Sequence, residues 1–281
     1  MALYPYTELL RYAIEHKFTV GAFNSLNMET LQAIVGAAEK KNVPLIVQTY
    51  HAHMEYAGPG YMSAICEVAA RNSSVKIALG LDHGRTYEQA KRCIDSGYSG
   101  VMIDLSSEDY GYNVAETRKV VELAHSKGVS VEAELGKILD ADQPLSAIAS
   151  NYTDPDVARK FVKETGIDCL AVSIGTAHGF YKHKPVINLD LLKELVDTVP
   201  CPIVVHGGSN TPDEDILSIV RTGVAKLNVG TDFFAAYTQA LHDFMQEHGT
   251  KCDIMKLMEA ARSAVEKIAC DKIDLLTKFM V

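Results

Sequence analysis

The chain has 281 residues, with 27 Lys and Arg against 36 Asp and Glu, so its formal net charge is −9. Hydrophobic residues make up 47% and charged residues 22%, which argues against disorder. The acidic balance argues against nucleic-acid or acidic-membrane partners, because phosphate surfaces require clustered Lys and Arg. No apolar run approaches the roughly 18 residues of a membrane span. The start, Met1-Ala2-Leu3-Tyr4-Pro5, lacks the basic stretch, apolar core and small-residue site of a signal peptide. Six scattered cysteines with no C-x-x-C pair are expected to be free thiols, which points to a reducing cytoplasm.

Short β-branched runs alternate with stretches of helical period. A strand is predicted over Phe18–Phe23 and a helix over Met28–Lys41, then a strand over Pro44–Tyr50 and a helix over Tyr61–Arg71. Lys76–Leu81 precedes Tyr87–Ser96, Gly100–Asp104 precedes Asn113–Lys127, and Val129–Glu134 precedes Asp154–Thr165 after a long loop. Asp168–Ile174 leads to Leu189–Val199, Pro202–His206 to Pro212–Thr222, and Val224–Val229 to Thr231–His248. Helices ending in Lys127-Gly128, Thr165-Gly166 and Thr222-Gly223 have the glycine that a left-handed C-terminal residue favours. The strands are continuously apolar, as suits parallel strands buried on both faces. Eight strand-then-helix units favour a closed (β/α)8 TIM barrel spanning residues 1–281 over an open doubly wound sheet. A terminal helix over about 254–279 carries Ile254, Leu257, Met258, Ala261, Val265, Ile268 and Ala269 on one face, for the barrel or a partner subunit. Two long connections, Gly136–Thr153 and Gly175–Asn188, have the length of functional loops.

In such a barrel the chemistry sits at the C-terminal strand ends. Those ends read Asn24, Gln48 with His51 and His53, Asp82-His83, Asp104, Glu134, Thr176–Gly179, His206 and Asn228. Strands otherwise built from Val, Ile and Leu have no packing reason to end in such residues. His83, His178 and His206 are each followed by Gly, and three imidazoles from separate strands fit a catalytic Zn²⁺ with an open position. Three unrelated hydrogen-bonded histidines are the plainer alternative. His16, His125, His183, His242 and His248 are expected to face solvent. His206-Gly207-Gly208-Ser209 and Asn228-Val229-Gly230-Thr231-Asp232 each open onto a helix, where backbone N–H groups bind anions.

Leu81-Asp82-His83-Gly84, Val131–Gly136, Gly175-Thr176-Ala177-His178-Gly179, His206–Ser209 and Asn228–Asp232 together resemble the class II, zinc-dependent ketose-bisphosphate aldolases. The likeness covers nearly the whole chain, and Tyr152-Thr153-Asp154-Pro155 is similar to the tagatose-bisphosphate branch. The resemblance implies reversible aldol cleavage of a phosphorylated ketose to dihydroxyacetone phosphate and an aldehyde. It implies His83, His178 and His206 as zinc ligands, and Asp82 as the group exchanging a proton with the aldehyde-derived oxygen. Asp104 and Glu134 match positions that hold a second cation or support the ligands. Asn24, Gly179, Lys182, Gly207, Gly208, Ser209, Asn228, Val229, Gly230 and Thr231 match the surroundings of the substrate. A monovalent cation, Na⁺ or K⁺, is implied near the phosphate, and a homodimer or homotetramer is expected.

The chain departs from the family pattern at five places. Gly80 stands where the family usually has His, and Leu105 follows Asp104 where Gly is common. The loop after strand five, Lys137-Ile138-Leu139-Asp140-Ala141-Asp142, replaces a Gly-Gly-Glu-Glu stretch, and by spacing Asp142 is the candidate base. Phe234 and Met255 fall where relatives anchor the second phosphate with basic residues, so the aldehyde need not be a phosphorylated one. Competing expectations are a Schiff-base aldolase using Lys226, a metal-dependent hydrolase using His51 and His53, and a non-catalytic sugar-phosphate-binding protein.

Overall fold

The apolar runs pair into eight parallel strands in a computed structural model that describes residues 3–281; Met1 and Ala2, part of the leader reading, lie outside it. The strands are β1 (Val20–Asn24), β2 (Leu45–Tyr50), β3 (Ile77–Gly84), β4 (Gly100–Ile103), β5 (Ser130–Leu135), β6 (Cys169–Val172), β7 (Ile203–Val205) and β8 (Lys226–Val229). They follow one another in order, and β8 pairs with β1 to close the barrel. Helices α1 (Tyr6–Glu15), α2 (Met28–Lys41), α3 (His51–Ala57), α4 (Pro59–Asn72), α5 (Tyr87–Asp95) and α6 (Tyr110–Ser126) belong to the first half. The second half contributes α7 (Leu145–Ala149), α8 (Pro155–Thr165), α9 (Leu189–Thr198), α10 (Asp213–Arg221), α11 (Thr231–His248) and α12 (Ile254–Leu276). The closed (β/α)8 barrel with an additional C-terminal helix is the predicted architecture. No helix among the described residues is long and apolar enough to cross a membrane.

Side chains alternate between the two faces of each strand, and this period of two decides where the chemistry goes. Outward residues such as Leu45, Val47, Leu79, Val101, Val131, Leu170 and Leu227 join the helices in one large apolar cluster. Inward residues form a second cluster from Val20, Ala22, Ile46, Ala78, Met102, Cys169, Ala171, Val204 and Ala225. Towards the C-terminal strand ends the inward positions turn polar, as Asn24, Gln48, Asp82, Glu132, Glu134, His206, Lys226 and Asn228, all buried.

Helix α1 stands outside the eight predicted units. Its Tyr6, Leu9, Leu10 and Ala13 pack on the inward cluster and close the N-terminal mouth. Tyr6 also accounts for the departure at Gly80: a Cβ there would lie 1.3 Å from the phenol oxygen, and at Gly100 2.5 Å from the ring. The aromatic ring fills the volume that a side chain at position 80 would need. Helix α3 follows β2 without a loop, so His51 and His53 are helical residues. Helix α7 sits inside the long connection after β5. Helix α12 packs against α2 and α11 through Leu257, Ala261, Val265, Ala269, Ile273 and Leu276. It ends at Leu276 rather than 279, and its predicted apolar face is trimmed at Ile254, which is exposed.

Candidate active site

The first metal-ligand position owes its direction to a bulge. The register of β3 against β4 shifts between Leu81 and Gly84, and His83 takes a φ of +49°. A left-handed conformation at a non-glycine residue costs on the order of 1 kcal/mol and concentrates at functional sites. It turns the imidazole into the barrel mouth. At Gly207, with φ +75°, a Cβ would come within 2.4 Å of the Ala177 carbonyl. This close approach brings the segment after β7 against the one carrying His178.

The three histidines converge. His83 Nε2 lies 2.8 Å from His206 Nδ1 and 3.2 Å from His178 Nε2. A tetrahedral zinc with Zn–N bonds of about 2.0–2.1 Å requires ligand separations of about 3.3–3.4 Å, so small ring movements would seat an ion. The outer nitrogens are held by carboxylates: His83 Nδ1 donates to Asp104 Oδ2 at 2.8 Å, and His206 Nε2 to Glu132 Oε1 at 2.8 Å. With a metal bound, each bond would fix the tautomer whose lone pair faces the shared vertex. Burial, and then its histidine neighbours, push His178 well below the usual imidazole range. Burial also lowers His206 despite its bond to Glu132. For His83, burial alone would lower the imidazole, but Asp82, Asp104 and Glu134 together bring it up to about 9.

The surrounding carboxylates have different tasks. Asp82 accepts from Asn24 Nδ2 at 2.8 Å and from Asn228 Nδ2 at 3.0 Å. Burial would raise it, yet His83, His206, the Asn24 bond and Lys226 keep it below its usual value. Asp104 also accepts from Ser106 Oγ at 2.7 Å and from the Arg85 guanidinium at 3.0 Å. Burial works against its ionisation, but the bond to His83, the charges of His83 and Arg85 and the Ser106 bond together lower the group. Glu134 Oε1 accepts from Ser106 Oγ and Ile138 N, both at 3.0 Å, whereas Oε2 has no hydrogen-bond partner and lies 3.6 Å from His83 Nδ1. Burial, then Asp104, pushes Glu134 up to about 8. His83, Asp104 and Glu134 also bring one donor atom each within 4.8 Å of one another, as a second cation would need.

These residues line one cavity of about 980 Å³ at the C-terminal mouth, together with Gly179, Gly207, Ser209, Gly230 and Thr231. Gly230 caps α11 without a side-chain cap, which leaves the first turn of a long helix facing the cavity. Ser209 Oγ accepts from Gly230 N at 3.1 Å and Asp232 N at 3.3 Å, binding the loops after β7 and β8 into one cradle. Lys272 of α12 supports it from outside through Asp232 at 3.2 Å.

Some predicted site residues fall elsewhere. Gly208 N is engaged by Asn228 O at 2.9 Å, Val229 is buried in the outer cluster, and Lys182 and Asp142 are exposed away from the cavity lining. Among the histidines expected in solvent, His16 is half-buried and His125, His183, His242 and His248 are exposed. Lys226 lies beneath the cavity, donating to Glu132 Oε2 and Asn228 Oδ1, both at 2.7 Å. That engagement leaves it poorly placed as a Schiff-base nucleophile. His53 lines the cavity and packs edge-on to Phe234 at 4.8 Å between ring centroids, but stands apart from the imidazole vertex. Glu132, Arg85, Tyr50 and Asp140 were not singled out from sequence. For Glu132 a signal existed, since Glu132 and Glu134 are two apart and share the inward face.

A (β/α)8 barrel whose mouth joins three converging imidazoles, which could hold a metal ion, to the first turn of a long helix has the layout of an enzyme active site. The chain belongs to the class-II fructose-bisphosphate aldolase family, whose sequence profile, described as "Fructose-bisphosphate aldolase class-II", matches residues 4–279. It is 35% identical to the fructose-bisphosphate aldolase of Geobacillus stearothermophilus over 277 residues, covering 97% of this chain and 96% of that one. It is 36% identical to the Thermus caldophilus fructose-bisphosphate aldolase over 293 residues, covering 95% and 96%. The crystal structure of the YdjI aldolase from Escherichia coli K12 superposes with a TM-score of 0.86 at 31% identity, covering 98% and 97%.

Proposed function

We infer that this protein is a zinc-dependent aldolase that reversibly cleaves a phosphorylated ketose, of the fructose- or tagatose-1,6-bisphosphate type, to dihydroxyacetone phosphate and an aldehyde. The observation that carries this reading is the meeting of three imidazole nitrogens at one vertex, with Asp82 and the α11 cradle in the same cavity. Held by His83, His178 and His206, zinc would supply Lewis-acid polarisation of the ketone.

The protein's own groups do the rest. The Thr231 N–H at the start of α11 and the backbone at Gly179, Gly207 and Ser209 bind the 1-phosphate. Asp82 is ionised and held by two amides, so in cleavage it accepts the proton of the hydroxyl that becomes the aldehyde. The carbon–carbon bond breaks, its electron pair stays on the dihydroxyacetone phosphate carbon, and the hydroxyl oxygen becomes the carbonyl. In condensation Asp82 returns that proton to the new alkoxide. Asn24 and Asn228 orient the carboxylate throughout.

The finer features belong to the same proposal: one domain, one catalytic zinc, a Na⁺ or K⁺ ion beside the phosphate, a homodimer or homotetramer, and a cytoplasmic setting. Six free cysteines agree with that setting, and exposed Met28, Ile254 and Met255 agree with an assembly. Asp104 and Glu134 support the ligands or hold a second cation. Tyr50, His53 and Phe234 in the cavity wall favour a second reading, a ketose 1-phosphate whose aldehyde half carries no phosphate. Zinc-loaded protein, incubated with dihydroxyacetone phosphate and a panel of aldehydes, should form ketose phosphates, and His178→Ala should abolish this. Full activity in His83→Ala or His178→Ala would instead favour the hydrolase reading.

A further inference from the structure

One wall of the cavity takes no part in the imidazole vertex or the α11 cradle. Tyr50, which begins it, stands opposite Asp82 in the β2–β3 register. His53, in the first turn of α3, packs edge-on to Tyr50 at 5.5 Å between ring centroids and to Phe234 of α11 at 4.8 Å. The three rings therefore span the cavity from α3 to α11, with Ala235 and Thr238 beside Phe234. Asp82 exchanges its proton with the oxygen of the aldehyde carbon, so the carbons beyond that one extend over the surface next to Asp82. The His53 imidazole belongs to that surface, since the Asp82 charge is felt there.

The chemistry of the wall suits a hydroxyl better than a phosphate. Among the described residues no hydrogen bond or ion pair engages either ring nitrogen of His53, and Nδ1 is buried without a partner. Nε2 is then the nitrogen left to meet a ligand. A neutral imidazole offers one donor or one acceptor there, according to its tautomer, and a hydroxyl satisfies either. Burial lowers His53 and keeps it neutral. A phosphate only accepts hydrogen bonds and calls for a cation. Arg85 is paired with Asp104 at 3.0 Å, and Lys137 belongs to the loop after β5, so the aromatic wall has no cation of its own.

We propose that Tyr50, His53 and Phe234 form a subsite for the hydroxylated tail of an unphosphorylated aldehyde, with His53 Nε2 bonded to one of its hydroxyls. The two other rings pack on the C–H faces of the same tail, as aromatic walls of ligand pockets do. His53 is thereby a specificity-determining residue. An acceptor lacking the hydroxyl leaves a partly buried imidazole unpaired, and that penalty discriminates against it. The proposal rests on the aldolase reading above.

The test compares glyceraldehyde with propanal, which has the same carbon chain and no hydroxyl, as partners for dihydroxyacetone phosphate on zinc-loaded protein. The quantity read is the ratio of their kcat/KM values, because intrinsic differences in aldehyde reactivity cancel between parent and variant. In His53→Phe, which keeps a ring against Phe234, the ratio should fall by at least about fivefold, the loss of one hydrogen bond. His53→Gln, which restores a donor and an acceptor, should bring it back to within about twofold of the parent. An unchanged ratio in His53→Phe overturns the proposal, as does an equal loss for both aldehydes, which marks a merely structural role. A parent preference for glyceraldehyde 3-phosphate over glyceraldehyde beyond about 100-fold also overturns it, because such discrimination needs a phosphate anchor. Exchange of the dihydroxyacetone phosphate C–H proton in D₂O needs no aldehyde, so a zinc-loaded parent without exchange overturns the aldolase reading itself.

Discussion

His206 Nε2 donates to Glu132 Oε1 across 2.8 Å inside the barrel, and Lys226 Nζ holds the other oxygen of the same carboxylate at 2.7 Å. The ammonium keeps Glu132 charged against its burial, the charge fixes the imidazole tautomer, and the tautomer aims His206 Nδ1 at His83 and His178. A strand residue two positions below Glu134 thus sets the direction of an imidazole proposed as a metal ligand.

Glu132→Gln removes that charge and leaves an ammonium without its counter-ion. Zinc affinity should fall by about 10–100-fold, the usual loss when a ligand's carboxylate partner goes. Competition against a chromogenic chelator reads this directly. The metal-free variant should also lose on the order of 3–5 kcal/mol of stability, because half of a buried ion pair is left uncompensated.

Zinc binding should depend on pH through His83. Its imidazole, at about 9 without metal, carries a proton at pH 7 that an ion must displace. Apparent affinity should therefore rise by about tenfold per pH unit from 6.5 towards 9 and then level off. Calorimetry at pH 7 in two buffers of different ionisation enthalpy should show close to one proton released.

Gly80→Ala would place a methyl group on the Tyr6 phenol. Forced overpacking of this kind costs about 1–3 kcal/mol, read as a lowered melting temperature. Tyr6→Ala opens the same space at the cost of a buried aromatic ring. Adding Gly80→Ala to Tyr6→Ala should then cost much less than adding it to the parent, because the two sites share one volume.

The acceptor end should tolerate a missing phosphate. Among the described residues, Arg85 and Lys137 are the only Lys or Arg side chains lining the cavity, and Arg85 is paired with Asp104. Burial lowers the His53 imidazole, so it adds no charge near neutral pH. Cleavage efficiencies for a ketose 1-phosphate and the matching 1,6-bisphosphate should fall within about tenfold of each other, under 1.4 kcal/mol of discrimination. A several-hundred-fold preference for the bisphosphate would contradict this.

The barrel was legible because strand order is written in local periodicity: Met28–Lys41 and Thr231–His248 match their predicted bounds residue for residue. The imidazole cluster was legible for a related reason, since His83 and His206 sit at strand ends where an apolar pattern breaks. Helix α1 was not, because its Tyr6, Leu9, Leu10 and Ala13 plug a mouth that exists only after the barrel closes. Glu132 was passed over because its partners, His206 and Lys226, lie 74 and 94 residues away. In the loop after β5 spacing points to Asp142, whereas the bridge at His178, formed only in three dimensions, sets the loop's register and brings Asp140 to the cavity wall.

If three histidines hold a metal required for aldol chemistry, ketose-phosphate cleavage should follow the metal. It is measured before chelation, after chelation, and after zinc is restored, with borohydride added to a parallel chelated sample. Cleavage should be lost on chelation and recover with about one zinc per chain, and no borohydride-trapped adduct should form. Cleavage that persists in the metal-free protein, with substrate trapped on Lys226, would contradict the metal requirement.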